Sequence, residues 1–165
     1  MKKFVSLALV ALLSLLTLST EVSAKKKSGV DPKQSYRYDV EYVKSVGTGV
    51  SQVTICCFTN SKLTNDELCR RNAVHAIIFK GYSGAGSNHP ALVRDADAEA
   101  THQVFFNEFF GEGGEYGRFV TGVTDYQNVQ FRNEFKYSAV VTVNVAALRK
   151  YLEQKGVVRS LASGF

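Results

Sequence analysis

Apolar and polar positions change their period several times along this chain, and each change marks an expected element. Over residues 36–44, Tyr36, Tyr38, Val40 and Tyr42 alternate with Arg37, Asp39 and Glu41, the two-residue period of a strand with one wet face. Gly47-Thr48-Gly49 marks a turn, and residues 52–59 are β-branched and apolar enough for a second, antiparallel strand; the pair is expected as a hairpin. The period then becomes helical. Leu68, Cys69, Asn72, Ala73, Ala76 and Ile77 form one stripe, and Thr64 with Glu67 fits a capping box. Gly81 is placed to end that helix in a left-handed conformation, and residues 83–88 read as a Gly/Ser loop bounded by Pro90.

A second helix is expected over about residues 97–110, where Asp95, Asp97 and Glu99 suit the positive end of a helix dipole. Phe105, Phe106, Phe109 and Phe110 give it a dense apolar face, and Gly111, Gly113, Gly114 and Gly117 break it. Residues 119–128 fit either an exposed loop or a short irregular strand. The strongest strand signal is residues 130–145, with Val141, Val143 and Val145 on one face. A last helix over 146–155 stops at Gly156, and Val157 and Val158 fit a short edge strand or a docked tail. This order predicts an α+β single domain over residues 36–165, an antiparallel sheet with two or three helices packed on one face.

The N-terminus follows different rules. Lys2 and Lys3 precede an apolar run over residues 4–18, and the segment closes on Val22-Ser23-Ala24. That order is the charged, apolar, small-residue pattern of a secretory signal peptide cut after Ala24. The run is shorter than the roughly 20 residues a membrane-spanning helix needs. With residues 1–24 removed from the 165, 141 remain, the size of one domain, long enough to bury a core without staples.

The net charge of +5 changes this picture little. Much of the excess sits in Lys25, Lys26, Lys27, Lys33 and Arg37, within and just after a stretch (25–35) that reads as a flexible basic leader. A nucleic-acid interface needs a basic face interleaved with aromatics or a recognisable module, so that class is set aside. At most, the leader implies weak contact with an anionic membrane surface.

Three cysteines in an exported chain raise the question of a disulfide. Alternation puts Cys56 and Cys57 on opposite faces, with Cys57 beside Val53 and Ile55, while Cys69 falls on the apolar side of the next helix. A Cys57–Cys69 bridge and three small buried thiols both fit. No CxxC motif or nearby histidine completes a metal set, and no cofactor motif is present.

Candidate chemistry is thin. Gly81-Tyr82-Ser83-Gly84-Ala85 invites comparison with the nucleophile elbow of serine hydrolases, with Ser83 as nucleophile and His102 or His75 as its base. The fifth position is Ala85 instead of glycine, and the segment before it reads as a helix, where the elbow needs a strand. Glu99 and His102 have the spacing of two metal ligands on a helix, but no second such pair exists, and a solvated helix face explains them. As loops on a rigid scaffold, 83–88 and 111–117 are the better recognition candidates, through Ser83, Asn88, Glu112 and Tyr116.

Two segments carry a resemblance: Arg71-Asn72-Ala73-Val74-His75-Ala76-Ile77-Ile78-Phe79-Lys80-Gly81, and Val141-Thr142-Val143-Asn144-Val145 followed by Leu148, Leu152 and Gly156. Together they resemble small secreted proteins of Bacteroidetes-type bacteria with no assigned function. More distantly they resemble α+β modules of bacterial envelope and flagellar accessory lipoproteins, although no lipid-accepting cysteine follows the signal. The resemblance implies an exported α+β protein, periplasmic or extracellular. Its implied role is non-catalytic binding or scaffolding in the cell envelope, with another envelope protein as partner.

Overall fold

The computed structural model describes residues 36–59, 66–131 and 134–159. Thr64 of the expected capping box, the expected signal segment and the expected basic leader lie outside the described residues.

Four strands form one antiparallel sheet in the order β1-β2-β6-β5: β1 (Tyr38–Gly47), β2 (Val50–Thr59), β5 (Val120–Phe131) and β6 (Glu134–Asn144). Two hairpins, β1–β2 and β5–β6, supply the outer pairs, and the β2–β6 pairing joins them from Val50↔Asn144 to Thr59↔Phe135. Between the hairpins lie α1 (Asp66–His75), a π-helical turn (Ala76–Lys80), and a small second sheet of β3 (Tyr82–Gly84) and β4 (Ser87–His89). Then follow α2 (Ala98–Thr101), α3 (Gln103–Phe109) and a 3₁₀ turn (Glu115–Phe119); α4 (Val145–Gln154) comes last.

The two-residue period decides the layering. Val53, Ile55 and Cys57 of β2 and Ala139, Val141 and Val143 of β6 are all at most 1% exposed. They meet Ala73, Val74, Ile77 and Ile78 from α1 and its π turn, and Leu148 and Leu152 from α4, in one core. Helices therefore cover one face of the sheet, as expected for this α+β domain. Asn144 caps α4 by accepting from the Ala147 N–H at 2.9 Å.

Two local expectations are corrected, and two that were left open are decided. Residues 83–88 are a tight hairpin instead of a loop: Ala85 (φ +47) and Gly86 (φ +77) both take positive φ between the Gly84↔Ser87 pair, the twist that matches a two-residue β turn. The helix expected over 97–110 is two short helices that part at His102 (φ −108, ψ +29). Of residues 119–128, Phe119 ends the 3₁₀ turn and the rest form an irregular strand, part of the twelve-residue edge strand β5, interrupted by a bulge between Thr124 and Gln127 where Asp125 has φ +54. Val157 and Val158 form no strand: both N–H groups return to the Leu152 carbonyl, docking the segment beyond α4.

Gly81 ends the π turn at φ +73, ψ −179, a region that only glycine occupies at low cost. A Cβ there would lie 2.5 Å from the His89 carbonyl oxygen and 2.8 Å from the Ala91 nitrogen. This close approach brings β3 and β4 back over the end of the helix.

Candidate functional site

The chemically capable side chains gather along α1, where its core face meets β1 and β2. His75, the last residue of α1, is 6% exposed and sits in an aromatic box. Tyr36 stacks on its ring at 3.8 Å between centroids, Phe79 lies at 4.8 Å and Phe110 at 5.6 Å. The Tyr38 hydroxyl lies 2.6 Å from His75 Nδ1, and Glu99 Oε1 faces Nε2 from 3.9 Å. Burial, with Lys80 and Arg71 nearby, pushes the imidazole down to about 3, so His75 is neutral at physiological pH. Burial also pushes the Tyr38 phenol far above its ordinary value. The phenol keeps its proton, and because Nε2 faces the Glu99 carboxylate, the tautomer that serves both contacts carries the ring N–H on Nε2 and lets Nδ1 accept from Tyr38. A ring held neutral with its acceptor nitrogen occupied is a structural joint between β1 and α1, and it is a poor general base.

One turn earlier, Cys57, Cys69 and Asn72 form a second buried group, each at most 2% exposed. The two sulfurs are 3.9 Å apart, and the Asn72 Nδ2 amide donates to Cys57 Sγ at 3.3 Å. Asn72 Oδ1 has no hydrogen-bond partner. An unpaired buried acceptor costs about 1–3 kcal/mol, which the packing of α1 on β2 and β6 must offset. Arg71, beside it, sets its guanidinium 5.8 Å from the Tyr36 ring.

A third group lies beneath the β3–β4 hairpin. The Tyr82 ring stacks on His89 at 4.6 Å, Tyr42 lies 4.6 Å from the same imidazole, and the hydroxyls of Tyr82 and Ser51 hydrogen-bond at 3.0 Å. These contacts fix the hairpin against the β1 edge.

Of the expected site residues, Ser83 and Asn88 do come together: they pair across β3 and β4, both exposed. None of the described hydrogen bonds or ion pairs joins Ser83 to His75 or His102, and the strand-turn-strand setting is the wrong one for a nucleophile elbow. His102 is half-buried at the α2–α3 junction. Glu112 is exposed, as expected, but Tyr116 is not a surface residue. It is 4% exposed and donates its hydroxyl to Glu67 Oε1 at 2.9 Å, clamping the 3₁₀ turn to the start of α1. Among the described residues, no group of three His, Cys, Asp or Glu side chains is placed to hold a metal ion, and no helix is long and apolar enough to cross a membrane.

The remaining surface of note is the second face of the sheet, which the sequence reading passed over. Gln52, Thr54 and Cys56 of β2 lie beside Thr142, Val140 and Ser138 of β6, and Thr124 and Gln127 of β5 continue the rows. All the β2 and β6 members are half-buried, yet Cys56, Phe58 and Val140 stand apart from the core cluster. Among the described residues no helix covers this face. Its centre is uncharged; Arg37, Asp39, Glu41 and Lys136 stand at its margins. Arg37 pairs with Glu134 at 2.7 Å, and Arg37 and Lys136 both flank the Phe58 ring.

Compared with protein-family models, curated proteins and solved structures, the chain gives no significant match.

Proposed function

We propose that this protein is a non-catalytic binding or scaffolding component of a bacterial cell envelope, exported by the segment over residues 1–24. One observation carries the binding reading: an uncharged sheet face, rimmed by charge, lies bare, whereas His75, Cys57 and Cys69 are held in buried internal contacts. A contact core depleted of charge within a polar rim is the composition of protein–protein interfaces. The partner is accordingly another protein. The charged start, apolar run and Val22-Ser23-Ala24 ending support export.

The test is cross-linked capture of the tagged chain from native envelopes, read by mass spectrometry. Parent protein is compared with Val140→Glu and Thr54→Lys, whose folding is verified by circular dichroism. A reproducible protein partner lost in both variants is the expected result. Capture of nothing, or of the same partner by all three, would remove the sheet face from the proposal. Retention of the uncleaved chain in the cytoplasm would remove export.

A further inference from the structure

We infer that Cys57 and Cys69 are a disulfide-forming pair, closed while the chain folds, and that Cys56 is the thiol left over. The pairing stands on geometry, and its closure in the cell rests on the export reading, which supplies an oxidising compartment. Strand alternation sends Cys57 to the core face and Cys56 to the bare face, so only Cys57 meets α1. Its sulfur is 3.9 Å from that of Cys69, and a bond of about 2.05 Å asks each sulfur to move by roughly 1 Å. Asn72, one turn beyond Cys69 on α1, holds Cys57 Sγ in that position through its amide. The pair is also ordered chemically. The hydrogen bond from the Cys57 thiol holds Cys69 below the ordinary thiol range, and that same bond together with burial raises Cys57.

Burial sets the timing. Cys57 is 0% and Cys69 2% exposed, so no oxidant reaches them once α1 has docked on β2. Closure therefore belongs to the docking step, with a small-molecule disulfide or a dithiol oxidase as electron acceptor. The Cys69 thiolate attacks one sulfur of the donor disulfide; the donor S–S bond breaks, a Cys69–donor bond forms, and one donor thiolate leaves and takes up the proton that Cys69 had released to solvent. Cys57 Sγ then attacks Cys69 Sγ, and its proton goes to the second departing donor thiol. Two cysteine thiols are oxidised and one donor disulfide is reduced. Once formed, the bridge is sealed from reductant by the same packing.

The test is refolding of the full purified chain and of Cys56→Ala from denaturant, in an oxidised/reduced glutathione mixture and in excess dithiothreitol. Free thiols are then counted in denaturant, and unreduced peptides are mapped. The expected counts after oxidative refolding are one for the parent and none for Cys56→Ala, against three and two under dithiothreitol. The map should join 57 to 69, and the oxidised parent should melt several degrees higher. In the folded, dithiothreitol-treated chain, a brief alkylation should label Cys56 alone. Three free thiols after oxidative refolding, or a map joining Cys56 to either neighbour, would overturn the assignment. The Cys56→Ala chain keeps both bridging residues, so its thiol count does not rely on a variant with a damaged core.

Discussion

Replacing His75 by phenylalanine should flatten the response of this fold to acid. An unfolded histidine titrates near 6.5, whereas burial holds the folded His75 near 3. Between those values the unfolded chain binds one proton that the folded chain refuses. Stability therefore falls as pH falls, from full effect above about 6.5 toward complete loss near 3, at a limiting slope of about 1.4 kcal/mol per pH unit. From pH 7 to pH 5 the loss from this one group is about 2 kcal/mol, a sizeable share of the 5–15 kcal/mol typical of a domain. The groups facing the ring keep that sign. Lys80 and Arg71 oppose protonation, Tyr36 and Tyr38 stay neutral, and Glu99 sits 3.9 Å away on a half-exposed side chain that solvent screens. Urea unfolding at pH 5, 6 and 7 measures the effect. The comparison is Tyr38→Phe against Tyr38→Phe/His75→Phe, so that neither chain has an orphaned phenol and surface carboxylates cancel. The double variant should lose about 2 kcal/mol less than the single one between pH 7 and pH 5. Equal losses would refute the neutral, buried imidazole.

Other outcomes follow from the same packing. Tyr38→Phe alone leaves buried His75 Nδ1 without a donor and should cost about 1–3 kcal/mol at pH 7 by urea unfolding. Leu152→Ala, at a fully buried α4 position, should cost about 2–5 kcal/mol in the same assay. Gly81→Ala must place a Cβ 2.5 Å from the His89 carbonyl oxygen at φ +73; a loss of about 1–3 kcal/mol or more is expected, with faster amide exchange in β3 and β4. Ser83→Ala should leave stability within about 0.5 kcal/mol, and it should not abolish any hydrolase activity detected by a fluorophosphonate probe.

The central layers were legible because each obeys one period over a long run. Val53, Ile55 and Cys57, and later Val141 and Val143, repeat every second residue, and a strand buried on one side requires that. Gly81 marked the end of the first helical run for an equally local reason. What escaped is governed by partners distant in sequence. β5 carries Gly122, Thr124 and Gln127 on its wet face and Asn128, which donates to the Tyr137 hydroxyl, on the other, and its bulge at Asp125–Tyr126 breaks the alternation that would have announced it. The β3–β4 hairpin was hidden in a Ser/Gly stretch, and its order comes from Tyr42, Tyr82 and His89 stacking across three strands. His75 entered only as a possible base for Ser83, because Tyr38, Phe110 and Glu99 reach it only after the sheet has formed. Tyr116 looked like a loop residue for the same reason; its partner, Glu67, lies on α1. The face alternation of Cys56 and Cys57 was readable, whereas the 3.9 Å approach of Cys57 to Cys69 required the helix to dock.

The seam between β2 and β6 also governs when this molecule can become itself. Each outer hairpin zips between neighbours in the chain, but the seam joins residues 50 and 144 at one end and 59 and 135 at the other. Searching for a partner that far along the chain is slow, because loop entropy is surrendered before any pairing rewards it. A chain emerging from its N-terminus therefore cannot complete its sheet until almost its whole length has appeared. Up to that moment it remains threadable, and afterwards the central strands lock together in one late step.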